Sequence, residues 1–141
     1  MGSATDGMTK LAVPIRADVD VLLARQEARR LCSGLRFSSS ELTLIATAIS
    51  EVARNILAYA GTGEIILETV QQVQRRGLCV VARDQGPGIA DIEQAMQDGY
   101  STSRGLGLGL PGSKRLMDDF RIVSEVGKGT EITMTKWERL K

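Results

Sequence analysis

The sequence predicts an α+β fold: a two-layer α/β sandwich with helices on one face of a mixed, mostly antiparallel sheet. Three observations predict it. The elements read in the order β-α-α-β-β-α-α-β-β, so strands arrive as hairpin pairs rather than through long helical crossovers. Helical stretches open on cap signals and close on glycine. The chain has 141 residues, 43% apolar and 25% charged, which suits one domain with one ordinary core.

Each element has its own warrant. Residues 10–16 form a short apolar run, and Pro14 suits an edge strand because it lacks an N–H for a second neighbour. Asp18 is expected to cap a helix running to Ser33, with Val19, Leu22, Leu23, Ala28 and Leu31 as its apolar stripe and Gly34 as its stop. Ser38 and Glu41, three residues apart, make a capping box for a second helix that runs to Ala60 and ends at Gly61. Residues 64–70 are β-branched and apolar, Arg75-Arg76-Gly77 reads as a turn, and residues 78–83 return as the second strand of a hairpin. Asp91 is expected to cap a short helix to Gln97, followed by a Gly/Ser-rich loop from Gly99 to Gly109. Pro111 suits the first turn of a helix over residues 112–119. Residues 120–126, the turn Gly127-Lys128-Gly129, and residues 130–137 close the chain as a hairpin. Residues 1–7 are small and polar and read as an expression leader ahead of Met8, leaving residues 8–141 as one domain.

The composition excludes several chemistries. With no histidine there is no Ser-His-Asp or Cys-His pair, no imidazole-bound zinc and no phospho-accepting histidine. Proton transfer at neutral pH then falls to a carboxylate, lysine, tyrosine or metal-bound water. Cys32 and Cys79 lie in apolar surroundings and read as packing thiols of a reducing compartment rather than a disulfide. No run reaches the roughly 18 apolar residues of a membrane span. A net charge of +1 offers no basic footprint for nucleic acid. The expectation is a cytoplasmic protein with neither membrane nor nucleic-acid partners.

Four clusters could carry chemistry, and each also has a plain structural reading. On the second helix, Leu42, Ile45, Ile49, Val52 and Ile56 form the core stripe, and Glu51 and Asn55 lie one turn apart on its flank. That pair reads as a cleft wall or as a solvated surface pair. Asp84, Gly86 and Gly88 follow a strand; they read as a carboxylate beside a close backbone approach for a flat ligand, or as a tight turn. Gly105, Gly107 and Gly109 precede a helix, where converging N–H groups favour an anion, and they read equally as a flexible loop. Gly127-Lys128-Gly129-Thr130 is by itself a hairpin turn.

In that order and spacing the clusters resemble the N, G1, G2 and G3 boxes of the GHKL superfamily, whose ATP-binding domain is the Bergerat fold. The resemblance covers residues 11–137. The runs of residues 48–55, 98–103 and 109–118 further resemble the RsbT family, the switch kinases of the stressosome, more than the related anti-sigma kinases. Arg104 departs from the small residue expected before the G2 box.

The resemblance implies a set of roles. Asp84 would accept the adenine amino group, with Gly86 and Gly88 giving it room, and Thr130 would add a hydroxyl at the same ring edge through water. Asn55 would supply an amide oxygen to Mg²⁺. Gly105, Gly107 and Gly109 would wrap the ATP phosphates, with residues 99–104 as a lid and Arg54 and Lys114 as nearby cations. Glu51 would be the general base, orienting or deprotonating the attacking hydroxyl. The implied activity is ATP-dependent serine/threonine phosphorylation of STAS-domain proteins, followed on release by binding and activation of a downstream phosphatase. The alternative is an anti-sigma factor kinase that sequesters a sigma factor and phosphorylates an anti-anti-sigma STAS protein.

Overall fold

Strands β1 (Lys10–Ile15), β2 (Gly63–Gln72), β3 (Arg75–Asp84), β4 (Asp119–Glu125) and β5 (Gly129–Trp137) join in one sheet of order β1-β2-β3-β5-β4. The computed structural model describes residues 9–89, 96 and 109–139. Every pairing among these strands is antiparallel, so the sheet expected to be mostly antiparallel is wholly so. Helices α1 (Asp18–Leu31), α2 (Ser39–Tyr59) and α3 (Gly109–Leu116) complete the α+β architecture, α2 packing against both of the others. No helix of the described residues is long and apolar enough to cross a membrane.

Alternation along each strand sets the core. Val13 and Ile15, Ile65 and Leu67, Leu78 and Val80, and Ile132 and Met134 are all buried. They meet Ile45, Ile49, Val52 and Ile56 of α2, the stripe that helical periodicity predicts. Leu42, at the start of that stripe, is half-buried. Helix α2 begins with the expected capping box: Glu41 N–H donates to Ser38 Oγ at 3.1 Å and Ser38 N–H to the Glu41 carboxylate at 2.9 Å. It ends at Gly61, whose φ of +85° lets its N–H return to the Ile56 carbonyl at 2.9 Å.

Other expectations need correction. Asp18 is the first residue of α1 and not its cap. Ala17 holds the cap position, and Asp20 accepts from the N–H groups of Arg16 at 2.8 Å and Ala17 at 3.0 Å. A carboxylate in the first turn does both jobs, bonding free donors and complementing the helix dipole. The buried stripe of α1 is Val21, Ala24, Ala28 and Leu31, whereas Val19, Leu22 and Leu23 are exposed at 68%, 49% and 41%. The fully buried alanines let the helix approach its neighbours closely, which turns the larger side chains outward. The helix stops at Leu31, and a 3₁₀ turn over Cys32–Gly34 reaches the expected Gly34.

The β2–β3 turn lies at Val73 and Gln74, not at residues 75–77, and Gln74 adopts φ +71°. Gly77 instead sits inside the ladder opposite Val70 and Trp137, where a Cβ would run into the Lys136 carbonyl and the Trp137 ring. Helix α3 begins three residues before the expected start, because Pro111 in its first turn forfeits no hydrogen bond. It ends at Leu116, whose carbonyl accepts from the buried Lys136 Nζ at 3.0 Å. The expected short helix from Asp91 to Gln97 lies outside the described residues, apart from Met96 against the core.

Both cysteines are free. Burial pushes the Cys32 thiol up to about 11 and raises Cys79 as well, as befits packing thiols.

Candidate functional site

At one end of the sheet, the inward-facing rows of three neighbouring strands finish on polar residues. On β3 the row Leu78, Val80, Ala82 ends at Asp84, on β5 Met134 and Ile132 lead to Thr130, and on β4 Phe120 and Ile122 lead to Ser124. Register aligns them: Asp84 pairs with Thr130, Thr130 with Ser124, and Gly63 of β2 stands on the other side of Asp84. The result is a transverse row of carboxylate and hydroxyl oxygens at the rim of the core.

Glycines bring backbone unusually near this row. A Cβ at Gly63 would meet the Ile56 side chain and Asp84 Cβ, and one at Gly86 would meet Ala60 at the end of α2. Gly129, at φ +106°, passes directly over the Asp84 carbonyl, and Gly88, at φ +80°, lies against the Glu125 carbonyl. At Gly88 and Gly129 only glycine combines the close approach with the positive φ.

The loop after β3 is tied down on both sides. Gly86 N–H donates to Asp84 Oδ1 at 2.8 Å, which leaves further acceptor capacity on that carboxylate. Gly127 N–H donates to the Pro87 carbonyl at 2.8 Å, and Ile89 N–H donates to Ser124 Oγ at 2.7 Å. Ser124 Oγ also lies 2.8 Å from Thr130 Oγ1 and donates within reach of the Gly129 carbonyl at 3.1 Å.

Helix α2 carries the other candidate residues. Glu51 is only 6% exposed, which excludes the solvated surface pair as its description. Arg54 Nη1 lies 3.5 Å from its carboxylate, and because Arg54 is 44% exposed the pair stays in contact with water. Asn55 is half-buried one turn further along, and Lys114 is exposed on α3. Gly109 opens α3; Gly105, Gly107 and the expected lid of residues 99–104 lie outside the described residues.

Sequence reasoning missed Ser124. A lone serine matches no motif, but its place in the row Phe120, Ile122, Ser124 signals a polar side chain facing inward. Lys136, buried after Ile132 and Met134, was missed for the same reason.

A carboxylate and a hydroxyl at paired strand ends, beside backbone that glycine keeps open, suit a flat heterocycle bearing hydrogen-bond donors. A buried glutamate and an amide lie on the adjoining helix. The chain belongs to the histidine kinase-like ATPase domain family, whose model matches residues 14–136. Within that class it is 51% identical over 127 residues to the serine/threonine-protein kinase RsbT of Bacillus subtilis (strain 168), spanning 90% of this chain and 96% of the relative. It is 32% identical over 117 residues to an anti-sigma F factor of Clostridium kluyveri, spanning 80% of this chain and 82% of the relative. The fold also matches a crystal structure of RsbU and RsbW domains from Mycobacterium tuberculosis, with TM-score 0.61 at 18% identity, over 94% of this chain and 33% of that longer one.

Proposed function

We propose that this serine/threonine-type kinase transfers phosphate from ATP to STAS-domain proteins of a partner-switching stress module in the cytoplasm. Once released from them, it binds and activates a downstream protein phosphatase. The observation that carries the catalytic reading is Glu51, a buried carboxylate one helical turn from Asn55 in a chain without histidine.

In this reading Asp84 accepts the adenine amino group and Thr130 acts on the same edge through water, while Gly86 and Gly88 admit the ring. Gly105, Gly107 and Gly109 wrap the phosphates. Mg²⁺ favours one or two protein ligands with phosphate oxygens and water, and Asn55 would hold it. When bound there, the ion would supply charge neutralisation at the transferred group. Glu51 orients the acceptor hydroxyl and takes its proton, and Arg54 keeps that carboxylate in place. Phosphoryl transfer needs little more than in-line positioning and electrostatic stabilisation, so a single carboxylate suffices.

The 51% relative named a serine/threonine-protein kinase favours this reading over an anti-sigma factor, the name carried by relatives at 32% identity. The test is incubation with labelled ATP, Mg²⁺ and a cognate STAS protein. Labelled serine or threonine on that protein, with capture of a phosphatase, is the expected result. Capture of a sigma factor instead would favour the anti-sigma reading.

A further inference from the structure

We propose that Ser124 is a positioning residue for the base-binding edge, setting the direction in which the Thr130 hydroxyl points and holding the loop of residues 86–89 beside it. This deepens the reading of Asp84 and Thr130 as base contacts and rests on it.

The argument is a proton count. A serine hydroxyl offers one proton and accepts at two sites. Ser124 Oγ has three partners: the Ile89 N–H at 2.7 Å, Thr130 Oγ1 at 2.8 Å and the Gly129 carbonyl at 3.1 Å. Ile89 can only donate and the Gly129 carbonyl can only accept. All three contacts are therefore hydrogen bonds at once in a single arrangement: Ser124 donates to Gly129 and accepts from both Ile89 and Thr130. Thr130 has then spent its proton on Ser124 and turns only lone pairs outward. In the other arrangement Ser124 donates to Thr130, and the Gly129 carbonyl loses its serine partner.

The favoured arrangement makes Thr130 an acceptor beside Asp84, itself an acceptor. Asp84 selects a base edge that carries a donor, and a water bridging Thr130 to that edge must donate one proton to Thr130, which fixes its orientation. An amino-bearing edge such as that of adenine is matched. Guanine, with a carbonyl oxygen in the corresponding place, meets acceptor against acceptor, and the mismatch leaves polar groups unpaired on both sides. Ser124 touches no base in this scheme; it acts through Thr130.

The test uses the full chain and calorimetric affinities for non-hydrolysable ATP and GTP analogues with Mg²⁺, for wild type, Ser124→Ala, Thr130→Val and the double variant. Urea midpoints are measured in parallel. Ser124→Ala is expected to weaken ATP binding by about three- to tenfold. It is also expected to narrow the ATP-to-GTP ratio, because the freed Thr130 hydroxyl can turn and donate. Ser124→Thr, which keeps the hydroxyl, should restore the ratio, a readout that loss of stability alone would not move. The double variant should lose less ATP affinity than the two single losses combined, since the two residues share one hydrogen bond. Additive losses in the double variant, or an unchanged ratio in Ser124→Ala, would overturn the role of Ser124 while leaving the base contacts standing. A Thr130→Val variant with wild-type affinity and ratio would overturn both.

Discussion

Asp84 and Thr130 stand opposite each other in the β3–β5 ladder, at the same end of the helix-covered face. Residues 46 positions apart in the chain thus present a carboxylate and a hydroxyl to one small region. Antiparallel register produces that meeting, and Gly129, without a Cβ, passes against the Asp84 carbonyl.

Replacing Asp84 by Asn keeps the shape and removes the charge from the proposed base contact. A charge-assisted hydrogen bond in a closed pocket is worth roughly 1.5–3 kcal/mol, so ATP affinity should fall about ten- to hundredfold. Calorimetry that finds unchanged affinity removes Asp84 from the site.

Two glycines of the β4–β5 turn should behave differently. Gly127 and Gly129 both hold positive φ, +84° and +106°, but a Cβ at Gly127 meets open space while one at Gly129 collides with the Asp84 carbonyl. Gly127→Ala should cost only the strain of its backbone, about 1 kcal/mol, and leave ATP affinity unchanged. Gly129→Ala should cost more and weaken ATP binding, because β5 must move away from Asp84. Urea midpoints and calorimetry on both variants check this, and equal effects on ATP binding would contradict it.

Glu138 gives a pH signature at the far end of the sheet. Its carboxylate is 8% exposed and lies 2.8 Å from Arg76 Nη2, while Arg36 N–H donates to it at 2.6 Å. Burial alone would push the carboxyl up. The Arg76 hydrogen bonds, the Arg36 N–H and both guanidinium charges outweigh it and hold the carboxyl below its usual range. A carboxyl whose folded value is depressed adds stability that is fully present above its unfolded value of about 4.3 and is lost as pH falls through the folded value. The stability gap between wild type and Glu138→Gln should be widest near neutrality and close on acidification below about pH 4. Urea midpoints across that range are the check, and a constant gap would show that the ionised form is not what stabilises.

What the sequence made legible was chemistry that is complete within a few residues. Ser38 with Glu41, and Gly61 at the far end of the same helix, needed no knowledge of the rest of the fold. Asp84, Gly86 and Gly88 were legible as a group because strand, carboxylate and glycines are contiguous. Asp18 was misread because two acids share the first turn and only Asp20 reaches back to the free N–H groups. Gly77 was misread because its reason is the Trp137 ring and Lys136 carbonyl across the ladder, a tertiary contact that mimics a turn signal. Val19, Leu22 and Leu23 fit a helical stripe in spacing, but the buried alanines decide which face packs. Ser124 was invisible until register set it beside Thr130.

The central claim is that the Glu51 carboxylate serves phosphoryl transfer and not nucleotide binding. The most direct measurement compares wild type with Glu51→Gln, which keeps the buried volume and removes the proposed base, for ATP affinity and for the rate of label transfer from ATP to the proposed STAS substrate. The account predicts ATP affinity within about threefold of wild type and transfer slowed by about a hundredfold or more. Transfer at the wild-type rate with the carboxylate gone would contradict it.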